Sequence, residues 1–432
     1  MSKETKIFSR RNVLRATGAA TVGMLAGCGG GDDSGNGNGN GNGGGTNPIE
    51  LLHAWSEGDG NAAIGALIEG FEQEHPDITF AEEPVNGAAR GNLDQVISNR
   101  LQANDPPSTF QTWPGKALEK FGEAYADIEG DVWNDDLKNN YRSGPQEAAQ
   151  LNGTYVTVPI NIHRINNLFY NTAVVEEAGV DPTSFSSPSD LVDACETIAS
   201  ETDATPFAHQ TSGAWSTGQL FGSSLIATGG ADGYDAYING EGNRSDVKAA
   251  LDHIIALREY YPDNASSIGF TEANTMVQEG NAAFIHQGDW AAGAYTGNDD
   301  FNYGEDWDQA PYPGTSGSYQ LNMDSFPYLA NNPAPEATKT FLSYCGTTDA
   351  QIRFNAEKGS IRPREDADVS ELNQFQQDQF DDFTSASSQP PSIQHGLAVV
   401  PGVLTNISEA FGGFIESYDS NATADALMNA FN

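Results

Sequence analysis

The sequence predicts an α/β protein of two lobes. A strand–helix–strand opening, alternation of strand and helix patterns through most of residues 49–431, and a length beyond what one core holds carry that prediction. In the opening unit, Ile49 to Trp55 reads as a strand. Ile64, Leu67, Ile68 and Phe71 then fall at i, i+3, i+4 and i+7, one face of a helix. Pro76 ends that helix, and Asp77 to Glu83 returns in extended form. A second helix carries Leu93, Val96, Ile97 and Leu101. Asp105-Pro106-Pro107 breaks the chain before a short strand, Thr109 to Thr112. Strands alternating with helices predict a mostly parallel sheet covered on both faces.

Farther along, Tyr155 to Pro159 and Asn167 to Tyr170 read as extended. Ser187-Pro188-Ser189-Asp190 opens a helix with a cap and a proline at its first position, followed by Leu191, Ala194, Cys195 and Ile198 on one face. Asp246 to Tyr260 repeats the helical pattern, and Ala282 to His286 is a strand leading into Gly288-Asp289-Trp290. No repeat of solenoid period is present.

The first residues are an address. A basic stretch, Ser9-Arg10-Arg11-Asn12-Val13-Leu14-Arg15, precedes an apolar run from Ala16 to Ala26, the pattern of a twin-arginine export signal. Leu25-Ala26-Gly27-Cys28 resembles a lipobox, so residues 1–27 are expected to be removed and Cys28 to carry the lipid. The Gly/Asn tether that follows, through residue 47, has no apolar surface to offset its ordering entropy and is expected to act as a leash. No later segment has the apolar length of a membrane span. A body anchored by lipid is expected.

The chain carries 20 Lys+Arg against 60 Asp+Glu, a net charge of −40, and loss of the basic leader makes it more negative still. Such a surface excludes nucleic acid and anionic lipid as partners. With its Gly, Asn, Asp and Thr content and 38% apolar residues, it resembles the surface of an extreme halophile, whose salt screens self-repulsion. Cys195 and Cys345, far apart in the chain, carry no metal-ligand spacing and are expected to be free and buried. Sequons stand at Asn152, Asn243, Asn264, Asn406 and Asn421.

In open α/β sheets, ligands bind beyond the carboxyl ends of strands. Here those ends read Trp55-Ser56-Glu57-Gly58-Asp59, Gln111-Thr112-Trp113, Asn161-Ile162-His163-Arg164 and Gly288-Asp289-Trp290. Each sets a ring beside a carboxylate or amide, which suits a pyranose: its C–H face packs on aromatic rings and its hydroxyls need donors and acceptors. Bland alternatives stand beside these. Trp55 is equally a core aromatic, Asp59 and Asp289 are equally helix caps, Trp113 before Pro114 equally packs a turn, and His163 with Arg164 equally forms structural ion pairs.

Val158-Pro159-Ile160-Asn161-Ile162-His163-Arg164 with Leu168-Phe169-Tyr170-Asn171, then Glu279-Gly280-Asn281-Ala282-Ala283-Phe284 and Gly288-Asp289-Trp290-Ala291, resemble the family 1 extracellular solute-binding proteins of ABC importers. The glucose/galactose-binding branch, in halophilic archaeal lipoprotein form, is the most similar. Asp105-Pro106-Pro107, Asp324-Ser325-Phe326, Lys358-Gly359-Ser360-Ile361 and His395-Gly396 extend the match along nearly the whole mature chain. The resemblance implies a type II periplasmic-binding-protein-like α/β fold with a ligand cleft between two lobes, residues 48–160 plus 312–350 and residues 161–311 plus 351–432. It implies sugar contacts at Trp55, Asp59, Gln111, Trp113, His163, Trp215, Asp289, Asp324, Lys358 and His395. It also implies capture of a monosaccharide, glucose or a related hexose, by hinge closure and delivery to ABC permease subunits at the outer face of the membrane. The protein would act as a monomer without cofactor, metal or catalytic residue. The chain departs from the branch at Ala54-Trp55, where two aromatics are usual, and at Trp113, where a histidine is. An oligosaccharide or non-sugar ligand is the alternative within the fold. A glycoside hydrolase using Asp59 and Asp289 is the alternative outside it, and no Gly-X-Ser-X-Gly nucleophile motif is present.

Overall fold

A computed structural model describes residues 47–84, 90–366, 368, 370 and 372–432. The export signal, Cys28 and the tether up to residue 46 lie outside the described residues.

The opening unit folds as its pattern dictates. Strand β1 (Ile49–His53) leads into helix α1 (Gly58–Glu74), which buries Ile64, Leu67 and Phe71 and stops before Pro76. β2 (Phe80–Pro84), α2 (Arg90–Gln102) and β3 (Thr109–Phe110) follow. The sheet order is β2-β1-β3, parallel throughout. β3 is shorter than expected because Thr112 turns away to bridge Ser325. Behind β1 lies a core of Ile64, Phe71, Trp133, Phe326 and Phe341. The helix Thr348–Lys358 adds Ala350 and Phe354 to it, so this core runs past the expected crossing at residue 350.

Five further short strands come next: β4 (Gln150–Leu151), β5 (Thr154–Tyr155), β6 (Thr157–Pro159), β7 (His163–Arg164) and β8 (Asn167–Asn171). β9 (Thr205–Phe207), β10 (Ala282–Gln287) and β11 (Trp307–Pro311) complete a second sheet of order β11-β8-β10-β9. Only β9 and β10 are parallel; β8 runs antiparallel to both neighbours, against the expectation of a mostly parallel sheet. The cause is local. β9 and β10 each follow a helix and run toward the site, whereas β8 follows β7 after two residues and leaves the site instead. The second core gathers Leu191, Cys195 and Ile198 of the helix Pro188–Glu201 with Phe221, Leu251, Phe284 and Phe411. That helix starts with the expected capping box of Ser187 and Asp190. Cys195 and Cys345 are free and buried.

Between the sheets three stretches of chain run side by side. β12 (Leu321–Asn322) pairs with β7, β13 (Ser325–Pro327) pairs with β6, and Ile162 exchanges backbone hydrogen bonds with Ile361. His163 and Asp324 sit inside this crossing. Among the described residues no helix is long and apolar enough to cross a membrane.

Candidate functional site

The crossing strands hold a buried polar knot. His163 is 1% exposed and Asp289 fully buried. Asp289, between β10 and the helix Trp290–Thr296, accepts from His163 Nδ1 and, at 2.9 Å, from Arg164 N–H. Its side chain makes no cap bond to its own helix, so the capping alternative gives way to anchorage of β7. On the other ring edge, Nε2 lies 2.8 Å from Asn161 Nδ2 and 3.3 Å from Asp324 Oδ2. Asn161 is held in orientation because its Oδ1 accepts from Asp324 N–H at 2.6 Å. A neutral ring therefore accepts from Asn161, and a protonated ring donates to Asp324.

Electrostatics favour the proton. Burial opposes charge on His163, but Asp289 and Asp324 outweigh it and raise its pKa. Burial raises Asp289 against the pull of His163 and the Arg164 N–H. Burial also opposes charge on Asp324, yet the His163 and Asn161 hydrogen bonds, with the nearby Lys358 ammonium, hold it well below the usual carboxylate range. Arg164 does not pair with His163; its guanidinium reaches Asp382 at 2.6 Å and lies over the Tyr319 ring.

From the first sheet, Gln111 donates to Asp324 Oδ1 at 3.2 Å and accepts from Ala54 N–H at 3.0 Å. Asp59, in the first turn of α1, is an ion-pair partner of Lys358 at the end of the Thr348 helix. Glu57, and not Asp59, occupies the cap position of α1. The Lys358 ammonium stands 5.9 Å from the Trp290 ring centroid.

Facing this knot is an aromatic wall centred on His395. Its ring meets Trp113 edge-on at 5.0 Å, Trp215 edge-on at 5.3 Å and Trp290 at 5.7 Å. Trp290 in turn meets His163 at 5.2 Å. Ser392 fixes the His395 ring through Nδ1 at 2.7 Å, and burial depresses its pKa to about 3. A Cβ at Gly288 would stand 2.2 Å from the Trp290 ring, so the indole folds over a glycine. Trp55 lies apart from this wall. Its part-exposed ring packs on Phe354 at 5.4 Å and Phe326 at 6.2 Å, against the core of the first sheet.

Nine of the ten expected residues thus join one constellation of knot, wall and ion pair, and Trp55 stands at its margin. Sequence reasoning missed Trp290 and Asn161, although both lie inside motifs it singled out. It also missed Gln219, Gln287 and Gln394. Gln287 accepts from Trp290 Nε1 at 3.1 Å and from Gln219 Nε2 at 3.2 Å. The buried Oε1 atoms of Gln219 and Gln394 have no hydrogen-bond partner among the described residues, and no periodic signal marks either glutamine. No group of three potential metal ligands is found among the described residues.

Two sheets meeting at a polar and aromatic site define a solute receptor of the type II periplasmic-binding-protein fold, and solved structures share it. A bacterial solute receptor described by its exclusive preference for β-D-galactopyranose superposes with a TM-score of 0.78 at 19% identity, over 89% of this chain and 97% of that one. The maltose-bound MalE3 of T. maritima does so with a TM-score of 0.72 at 17% identity, over 88% and 98%. The family model of bacterial extracellular solute-binding proteins matches residues 54–352, and the chain belongs to that family. A xylose/arabinose-binding protein of Haloferax volcanii is 43% identical over 88% of this chain and 84% of its own. A glucose-binding protein of Saccharolobus solfataricus is 23% identical over 63% and 52%. The family consists of receptors, and this protein is a receptor and not an enzyme.

Proposed function

We propose that the protein captures a monosaccharide in its pyranose form outside the cell and passes it to an ABC permease. One observation carries this reading: three indoles around His395 face a knot of carboxylates and amides. Apolar C–H faces of a sugar suit the rings, and its hydroxyls suit Asp324, Gln111, Asn161, Gln219 and Gln394. Glucose and the aldopentoses share the ring this site would grip. The 43% identity to the Haloferax protein favours a pentose over the hexose expected from sequence.

The two sheets and their cores would be lobes, with the final crossing placed after Lys358 and not at 350. Asp59 and Gln111 would come from one lobe, Asp289 and Trp290 from the other, so that ligand completes contacts only in a closed form. Twin-arginine export and a lipid on Cys28 would hold a monomer at the outer face of the membrane.

Thermal shift in high salt against D-xylose, L-arabinose, D-glucose, D-galactose, maltose, amino acids and phosphate tests this, because a ligand that binds only the native state raises its stability. Stabilisation by one or two monosaccharides alone is expected. A response confined to maltose, or to the non-sugars, would overturn the monosaccharide reading.

A further inference from the structure

Five sequons stand in the chain, and the fold separates one of them from the rest. Asn243 caps the helix Arg244–Arg258: its Oδ1 accepts from Ser245 N–H at 3.0 Å and from the Ser245 hydroxyl at 2.9 Å, so both ends of that sequon are spent in the cap. Asn406 lies within the helix Pro401–Ser417, where its amide donates to Ala430 O at 2.9 Å and Ser408 donates to Leu404 O at 2.8 Å. Asn421 is in the first turn of the helix Ser420–Asn429, its N–H bound to Asp419 at 3.0 Å and its carbonyl to Arg244 at 3.1 Å; Thr423 behind it is buried. In the Asn264 sequon the middle residue, Ala265, is buried and pinned through its carbonyl to Thr211 N–H at 2.7 Å.

Asn152 differs in that no residue of its sequon is buried or hydrogen-bonded outside its own hairpin. With Gly153 it forms the two-residue loop between β4 and β5, both at positive φ, 52° and 82°. Both residues are exposed, and no hydrogen bond within the described residues ties the Asn152 amide or the Thr154 hydroxyl. The hairpin is two residues per strand and joins no larger sheet, so opening it costs little. Beside it opens a surface cavity of about 980 Å³, lined by Gln102, Lys120, Asn152 and Asn331 among others, which leaves room for attached sugars.

These facts matter because of the order of events. The twin-arginine route, on which this inference rests, carries folded proteins. A glycosyltransferase outside the membrane would then meet the folded chain and must draw three residues into its own groove. We propose that Asn152 is N-glycosylated and that the other four sequons stay bare. In the step, the bond between Asn152 Nδ2 and sugar C1 forms. The bond from C1 to the phosphate oxygen of a lipid-phosphate-linked oligosaccharide breaks, the amide loses one proton, and the lipid phosphate departs.

Mass spectrometry of tryptic peptides from the full protein, purified from the cells that make it, tests the assignment. Residues 143–164 form a tryptic peptide with Asn152 as its single sequon. That peptide should carry the oligosaccharide mass, the three tryptic peptides that hold the other four sequons should not, and Thr154→Ala should abolish the modification while leaving the thermal shift with sugar unchanged. A bare Asn152 in the exported protein overturns the proposal, and so does glycan on Asn243, Asn264, Asn406 or Asn421. Neither result touches sugar capture, which a separate measurement reads.

Discussion

Two places in the molecule set a tryptophan beside an aspartate at the end of a strand, and they use the pair in opposite ways. At the first sheet, Trp55 turns back over Gly60, where a Cβ would stand 2.5 Å from its ring, and packs on Phe354 and Phe326. At the second sheet, Trp290 turns back over Gly288 but meets Trp215, His395 and His163. The local motif, an indole folded over a glycine, is the same. What lies around the ring separates them: Trp55 meets His53 but packs mainly on phenylalanines, whereas Trp290 meets two imidazoles and an indole and donates its N–H to Gln287. The aspartates divide likewise. Asp59 pairs with the Lys358 ammonium, both side chains largely buried, whereas Asp289 is sealed completely and holds both His163 and the backbone of β7.

The contrast is sharpest in acid. Burial depresses His209, His286 and His395 to about 3, and all three belong to the second region. A histidine depressed on folding contributes stability above its unfolded pKa of about 6.5, and that contribution is lost as pH falls toward the folded value. Each ring should cost about 1.4 kcal/mol per pH unit below 6.5. His163, shifted up, works the other way: its contribution is complete below about 6.5 and is lost as pH rises through its folded value. Denaturant melts between pH 7 and 5 should therefore show a steep loss, and hydrogen exchange should place it in β9 and β10 before β1. Equal loss of protection in β1 would erase the distinction.

Asp289→Ala should come next in size. It leaves His163 and the Arg164 N–H without their partner in a buried site, a cost of about 3–5 kcal/mol, and should remove the sugar response; Asp59→Ala strands the Lys358 ammonium but leaves β7 anchored, and should cost less stability. Denaturant titrations of the two variants would show it, and equal losses would sink the asymmetry.

The tryptophans give the smallest effects and the cleanest separation. Trp290→Ala should weaken sugar binding tenfold to a hundredfold, about 1.4 to 2.8 kcal/mol, with the sugar heat measured by calorimetry. Trp55→Ala should instead lower stability by about 2–3 kcal/mol, less than for a fully buried ring, and leave affinity nearly unchanged. Reversed outcomes would return Trp55 to the ligand.

Sequence foretold much of this. Periodicity placed β1, β10 and the buried face of α1, because one-sided burial writes itself into spacing, and cap chemistry placed the Ser187 start. It did not foretell the direction of β8, which depends on where the preceding crossing delivers the chain. The strand-end rule singled out His163, Asp289 and Trp113, which the fold brings into one constellation. It could not rank Trp55 against Trp290, since the difference lies in Phe326 and Phe354, some 270 to 300 residues away. Gln219 and Gln394 left no mark, because a single polar side chain aimed inward has no period.

The wall around His395 also makes the receptor its own optical probe. Of six tryptophans in the chain, Trp113, Trp215 and Trp290 border the proposed site, while Trp133 and Trp307 are fully buried away from it. Half of the indoles therefore stand where the proposed ligand would displace water. Unlabelled protein should report occupancy by the colour of its fluorescence, and the Trp290→Ala variant should report it with a smaller shift.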